Sequence, residues 1–478
     1  MVFSSHLFIY YFLPLALGLY YLVPRKGKHL VLTIVSYLFY GWANPLFMVL
    51  MLGSTMIDYF CGRVIMGRAN DALKKNTPRS RSQKWALFVS IVVNLSLLGF
   101  FKYCDFGLEN YNGIVHAMGL SQDWFLPSLN IVLPLGISFY TFQSMSYSID
   151  VYRGEAEGNR SFIDFACYVS MFPQLVAGPI VRYQEIADQL RERTHSWQLF
   201  SRGVAFFCMG MAKKVLLANP CGEVADLAFN SATVGMLDAW VGAISYSFQI
   251  YFDFSGYSDM AIGLGCMLGF VFAKNFDSPY HSKSITEFWR RWHISLSTWL
   301  RDYLYIPLGG NKRGHARTYI NLALVMLLGG MWHGAAWNFI AWGAIHGGML
   351  AFERAIGKDS FYSALPKHLK VGITFLIVTL AWVFFRSPDM AHACGYIAAM
   401  FGSGQVTDAS ALIGGVMYSS YHIFSILIAA GIVFFGVQSW DWTRHIRPLK
   451  ALVILSLLLL SLAALSIQSY NPFIYFMF

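Results

Sequence analysis

LVLTIVSYLFYGWANPLFMVLMLGSTMIDYFCGRVI, from Leu30 to Ile65, decides the fold class. An apolar run of that length far exceeds the roughly 20 residues that one helical crossing of a bilayer needs. It is interrupted at Ala43-Asn44-Pro45. The stretch therefore reads as a helical hairpin in a membrane. Both flanks are basic, with Arg25, Lys26 and Lys28 before it and Arg63, Arg68, Lys74, Lys75, Arg79, Arg81 and Lys84 after it. Positive residues stay on the cytoplasmic side, so both ends of the hairpin are expected inside.

Working outward, Leu7 to Val23 reads as a retained span that starts outside. Trp85 to Phe101 leads out to a loop carrying Asp105, Glu109 and Asp123, and Ile131 to Ser148 returns. The short apolar piece Phe162 to Ile180 contains Pro173, Gly178 and Pro179, which favours a re-entrant or surface-lying segment over a full span. Gly203 to Ala218 runs out to an acidic loop with Glu223, Asp226 and Asp238, and Trp240 to Phe272 runs back. Lys274 to Arg317 is a basic, aromatic inner segment suited to the interface. Tyr319 to Phe352 forms a second hairpin between Arg317 and Arg354, and Val371 to Phe385, Ile423 to Val437 and Ala451 to Ile467 complete the chain. The expected fold is all-α, a polytopic integral membrane protein with about 11–12 transmembrane helices plus re-entrant or interfacial helices. Without repeat, linker or low-complexity tract, residues 1–478 read as a single membrane domain.

Composition agrees. Hydrophobic residues make up 56% and charged residues 13%, against about 25% charged in soluble domains. A soluble enzyme, a disordered tail and a disulfide mini-protein are excluded. The net charge of +10 sits in short loops, so topology explains it without nucleic acid as a partner. The seven cysteines are scattered with no C-x-x-C, which gives neither a zinc site nor a disulfide framework. No metal is expected.

Ionisable residues at membrane depth cost several kcal/mol and mark candidate sites. The turn of the second hairpin reads Gly329-Gly330-Met331-Trp332-His333-Gly334-Ala335-Ala336-Trp337-Asn338. Its glycines are expected to loosen the helix and open the backbone towards a cavity. His333 is then either a base that takes a proton from a hydroxyl or a structural histidine bonded to a carbonyl. The second locus runs from Ser284 to Tyr303. Ser284 with Glu287 has capping-box spacing and starts a helix. Trp289, Trp292, Leu296, Trp299 and Leu300 are expected on one face of it, with His293 and Ser297 as an i,i+4 pair beside them. Arg290, Arg291 and Arg301 form a rim for holding donor phosphates or for snorkelling to the inner leaflet. Asp253, Asp259, Gln143 and Ser144 interrupt apolar runs, either as structural hubs or as cavity-lining groups.

Trp289-Arg290-Arg291-Trp292-His293 through Trp299-Leu300-Arg301-Asp302-Tyr303, followed by Gly330-Met331-Trp332-His333-Gly334, resembles the membrane-bound O-acyltransferase family. The resemblance covers essentially the whole chain. The opening Met1 to Ser5, the phrase Pro173 to Ile180 and the ending Asn471 to Phe476 resemble its bacterial polysaccharide-modifying branch. It implies helices around a central passage, with His333 catalytic and His293 the second motif histidine. It also implies that acetyl passes from a cytoplasmic thioester donor, acetyl-CoA or an acyl carrier protein, to an exopolysaccharide such as alginate. A periplasmic acetyltransferase partner and a bacterial inner-membrane location follow from it, with no tightly bound cofactor. Trp332, Asn338, Arg290, Arg291, Arg301, Asp302 and Gln143 are the expected substrate contacts. D-alanyl transfer to teichoic acid and a transporter or flippase without acyl chemistry are the alternatives.

Overall fold

The computed structural model describes residues 2–67, 77–357, 361–404 and 406–474. Arg68, Lys74 and Lys75 of the basic stretch, and Met1, Tyr475 and Phe476 of the terminal phrases, lie outside the described residues. The protein is a polytopic membrane protein, and among the described residues it has no strand. Among the described residues five helices are long and apolar enough to cross a membrane: Pro45–Met66, Arg81–Ala117, Trp197–Phe229, Lys367–Arg386 and Pro448–Ile467. Phe8–Leu22 and Ser420–Phe435 are shorter apolar helices. The chain forms two compact units, Met1–Trp197 with Gly265–Phe272, and Gln198–Leu264 with Ala273–Phe478.

In the first unit the expected hairpin is present as helices Lys28–Gly41 and Pro45–Met66. Asn44 caps the second helix, its side chain accepting from Leu46 N at 3.0 Å. Helix Arg81–Ala117 opens with a Ser80–Gln83 capping box and runs for 37 residues, about 55 Å at 1.5 Å per residue. Asp105 and Glu109 therefore stand within this helix and not in a loop. The Asp105 carboxylate instead caps the returning strand of chain, accepting from Leu129 N at 2.8 Å and Ile131 N at 2.7 Å. Helix Ile137–Arg153 follows and is buried from Ile137 to Val151. At its head Gly136 has φ 73°, and a Cβ there would lie 2.5 Å from the Leu175 carbonyl oxygen. Buried polar groups at membrane depth persist where they satisfy one another. Here Asp58 accepts from Ser90 Oγ at 2.6 Å and from Asn94 Nδ2 at 2.9 and 2.8 Å. Phe162 to Ile180 forms two short helices, Phe162–Ser170 and Phe172–Leu175. It is buried from Phe165 onward, so it does not lie on a surface.

The second unit is built on the helix Trp197–Phe229 from Gln198 onward, continuous through a π-helical turn at Lys213–Ala218, and on the long helix Met236–Met267 as far as Leu264. The acidic loop expected after Ala218 begins in fact as helix, and its acids are partnered. Glu223 lies 3.0 Å from His422 Nε2 and Asp226 lies 2.5 Å from an Arg386 nitrogen. Asp253 and Asp259 form ion pairs with Lys214 at 2.8 Å and Lys213 at 2.7 Å. The second hairpin consists of helices Gly314–His333 and Trp337–Ile356, joined by a three-residue turn.

Candidate active site

The single helix expected from Ser284 to Tyr303 is broken. Helix Ile285–Arg291 starts where the cap predicted, Ser284 accepting from Glu287 N at 3.0 Å. It stops at Trp292, and a second helix, Ile294–Leu300, begins after His293. His293 itself has φ 43° and ψ 55°, a left-handed conformation that costs a residue with a Cβ on the order of 1 kcal/mol. The segment before it stabilises the bend. Asn275 O accepts from Ile294 N at 2.9 Å, Asn275 Oδ1 accepts from Ser295 N at 3.2 Å, and Asp277 N donates to Arg291 O at 2.9 Å. The first two of these occupy donors that a helix start otherwise leaves orphaned. The five aromatic and leucine positions therefore do not share one helical face.

The clamp also sets the chemistry of the ring. A backbone N–H only donates, so the Asn275 amide atom facing Ser295 N is its oxygen. His293 Nδ1 lies 3.3 Å from that oxygen and carries the hydrogen. Nε2 is left with its lone pair, buried and without a hydrogen-bond partner among the described residues. His293 sits outside the spanning helices and is fully buried. Burial pushes its pKa down to about 3, because the charged imidazolium loses its hydration. The ring is neutral.

His333 is the last residue of helix Gly314–His333 and is 6% exposed. Its ring centroid is 6.5 Å from that of His293. Trp332 at 5.0 Å, Trp342 at 5.2 Å and Phe385 at 5.1 Å surround it edge-on, the arrangement that ring quadrupoles favour. The glycines beside it do not open the helix as expected. A Cβ on Gly330 would overlap the Phe339 carbonyl oxygen, and one on Gly343 the Met326 carbonyl oxygen. They let the two hairpin helices approach backbone to backbone, as small residues do in membranes.

The other expected site residues divide. Trp332 is buried and stands 6.1 Å from the His293 ring. Asn338 anchors the segment that carries Phe385, donating through Nδ2 to Phe384 O at 3.1 Å and Ser387 O at 2.6 Å. Arg291 is held by Glu287 at 2.8 Å, and Arg301 by its neighbour Asp302 at 2.7 Å. Arg290 is exposed. Gln143 belongs to the first unit, where its amide is buried without a hydrogen-bond partner among the described residues.

Sequence reasoning missed two residues. Asn275 carries no motif, and its role depends on a chain reversal. His346, in Ala344-Ile345-His346-Gly347-Gly348, repeats the histidine–glycine pair of His333-Gly334. A histidine in an apolar helix was signal enough to find it.

The membrane-bound O-acyltransferase family model matches residues 155–386, which hold both motif histidines. The probable alginate O-acetylase AlgI of Pseudomonas putida is 44% identical over the whole of both chains. The peptidoglycan O-acetyltransferase of Helicobacter pylori is 38% identical over 85% of this chain and 81% of its own. The teichoic acid D-alanyltransferase of Streptococcus thermophilus is 29% identical over 52% of this chain and 68% of its own. Identity of 44% along the entire sequence, with both histidines inside the matched region, means that the chain belongs to the membrane-bound O-acyltransferase family.

Proposed function

We propose that this O-acyltransferase moves an acetyl group from a thioester donor in the cytoplasm to an exopolysaccharide hydroxyl, with alginate as the polymer, and that residues 1–478 work as one enzyme of the bacterial inner membrane. The acceptor is reached directly or through a periplasmic acetyltransferase. The observation that carries this reading is the pair of buried imidazoles with ring centroids 6.5 Å apart. The near-full-length likeness to proteins named for O-acetylation favours acetyl over D-alanyl. A transporter gives no reason for two such rings in one aromatic shell.

In this reading the hydroxyl oxygen attacks the thioester carbonyl carbon while its proton passes to His333. The carbonyl becomes a tetrahedral oxyanion, which collapses to the ester and expels the thiolate; that thiolate takes the proton back. His293, with its Nε2 lone pair, orients the hydroxyl or shares the proton. Holding both reactants in one water-poor site supplies the positioning that the reaction lacks in solution. Trp332 packs against the acceptor, and Arg290, Arg291 and Arg301 draw in the phosphate-bearing donor, acetyl-CoA or an acyl carrier protein. His333→Ala is expected to leave the protein inserted in the membrane and to abolish polymer acetylation, measured as ester-linked acetate per sugar. Retained acetylation in that variant removes His333 from the mechanism.

A further inference from the structure

His346 lies one helical turn beyond Trp342 on helix Trp337–Ile356 and is fully buried. Trp289 Nε1–H donates to His346 Nδ1 at 3.2 Å. An indole nitrogen only donates, so His346 Nδ1 accepts and its hydrogen sits on Nε2. The ring is thereby a neutral imidazole that presents an N–H. That Nε2 is buried and has no acceptor among the described residues, and neither has the indole N–H of Trp342. The Trp342 ring lies 5.2 Å from His333 on one side and 4.8 Å from His346 on the other. The tautomer is opposite to that of His293, which presents a lone pair.

We infer that His346 Nε2–H, with Trp342 Nε1–H, donates to the carbonyl oxygen of the acyl group and stabilises the oxyanion that forms when the hydroxyl attacks. A buried donor without a partner costs the fold free energy, and it is preorganised for a charge that appears only in the transition state. A neutral imidazole acts as such an electrophile elsewhere. No proton leaves His346; it donates a hydrogen bond to the oxyanion and keeps it when the thiolate departs. Trp289 of the first histidine motif is then a positioning residue, because its N–H fixes the tautomer.

This inference rests on the acyl-transfer reading, and the purified, reconstituted full-length protein separates the two. With labelled acetyl donor and oligosaccharide acceptor, His346→Phe is expected to lower kcat by about 10²–10³ while donor KM stays within about threefold. His346→Gln, whose amide N–H restores a donor, is expected to recover at least about tenfold of that loss. A His346→Phe kcat within about threefold of the parent's overturns the inference, as does a loss confined to KM or one that Gln does not recover. If His346→Phe does not fold, Trp289→Phe decides, with about a tenfold fall in kcat expected and an unchanged kcat contradicting it. Absence of transfer by the parent protein itself would instead defeat the acyl-transfer reading.

Discussion

The two histidine-bearing regions of the second unit present their rings by opposite means. At His293 the backbone is strained, and hydrogen bonds from Asn275 hold a left-handed residue between two short helices. At His333 the backbone is ordinary helix, and glycines on the facing helices bring the hairpin together around it. Polar satisfaction positions one ring and close packing the other. The two regions should therefore fail differently.

The hairpin is the more brittle. Gly343→Ala sets a methyl group against the Met326 carbonyl, and neither backbone has room to move. Overpacking of this kind costs about 1–3 kcal/mol and sometimes more, so folded protein and activity are expected to fall together. Gly329→Ala is the control, because its Cβ would meet only Leu300 Cδ1 at 3.5 Å. Equal thermal stability of the two variants in detergent would show that close packing does not hold this region.

The bend is expected to fail by degrees. Asn275→Leu leaves Ser295 N–H without its acceptor and His293 Nδ1–H with only Ser295 Oγ, at 3.4 Å, a cost of about 1–3 kcal/mol. It also frees the ring to change tautomer. The rate should drop more than the stability, and a variant that loses stability at full rate would reduce the clamp to a structural device.

The smallest expected effect is on pH dependence. Folded His293 stays neutral down to about pH 3, whereas in the unfolded chain it takes up a proton near pH ~6.5. The unfolded state therefore binds more protons between these values, and the contribution of His293 makes stability fall as pH drops through that window. His293→Gln should flatten the slope of Tm against pH between about pH 6 and 4. An unchanged slope would mean that the ring is not buried as neutral imidazole.

Much of this was legible in sequence where the cause is local. Asn44-Pro45 divided the first hairpin, Ser284 began its helix, and His333 stood out as an ionisable group in an apolar run. Asp105 and Asp226 look like loop residues in sequence because charge interrupts an apolar run, yet each is partnered within the fold. The break at His293 was hidden because its cause, Asn275, lies 18 positions away, and the Trp289–His346 bond joins residues 57 apart. Glycines at the hairpin turn signalled an unusual backbone, but close approach and helix opening leave the same mark in a sequence.

In the proposed mechanism His293 and His333 act on one acyl group in one step. The most direct measurement is a double-mutant cycle of His293→Ala and His333→Ala on single-turnover acetyl transfer by the reconstituted protein. Residues that serve one step are strongly non-additive, so the double variant is expected to be no slower than His333→Ala alone, with that single variant at background. A His293→Ala rate equal to the parent's, or a His333→Ala rate close to the parent's, would contradict the claim.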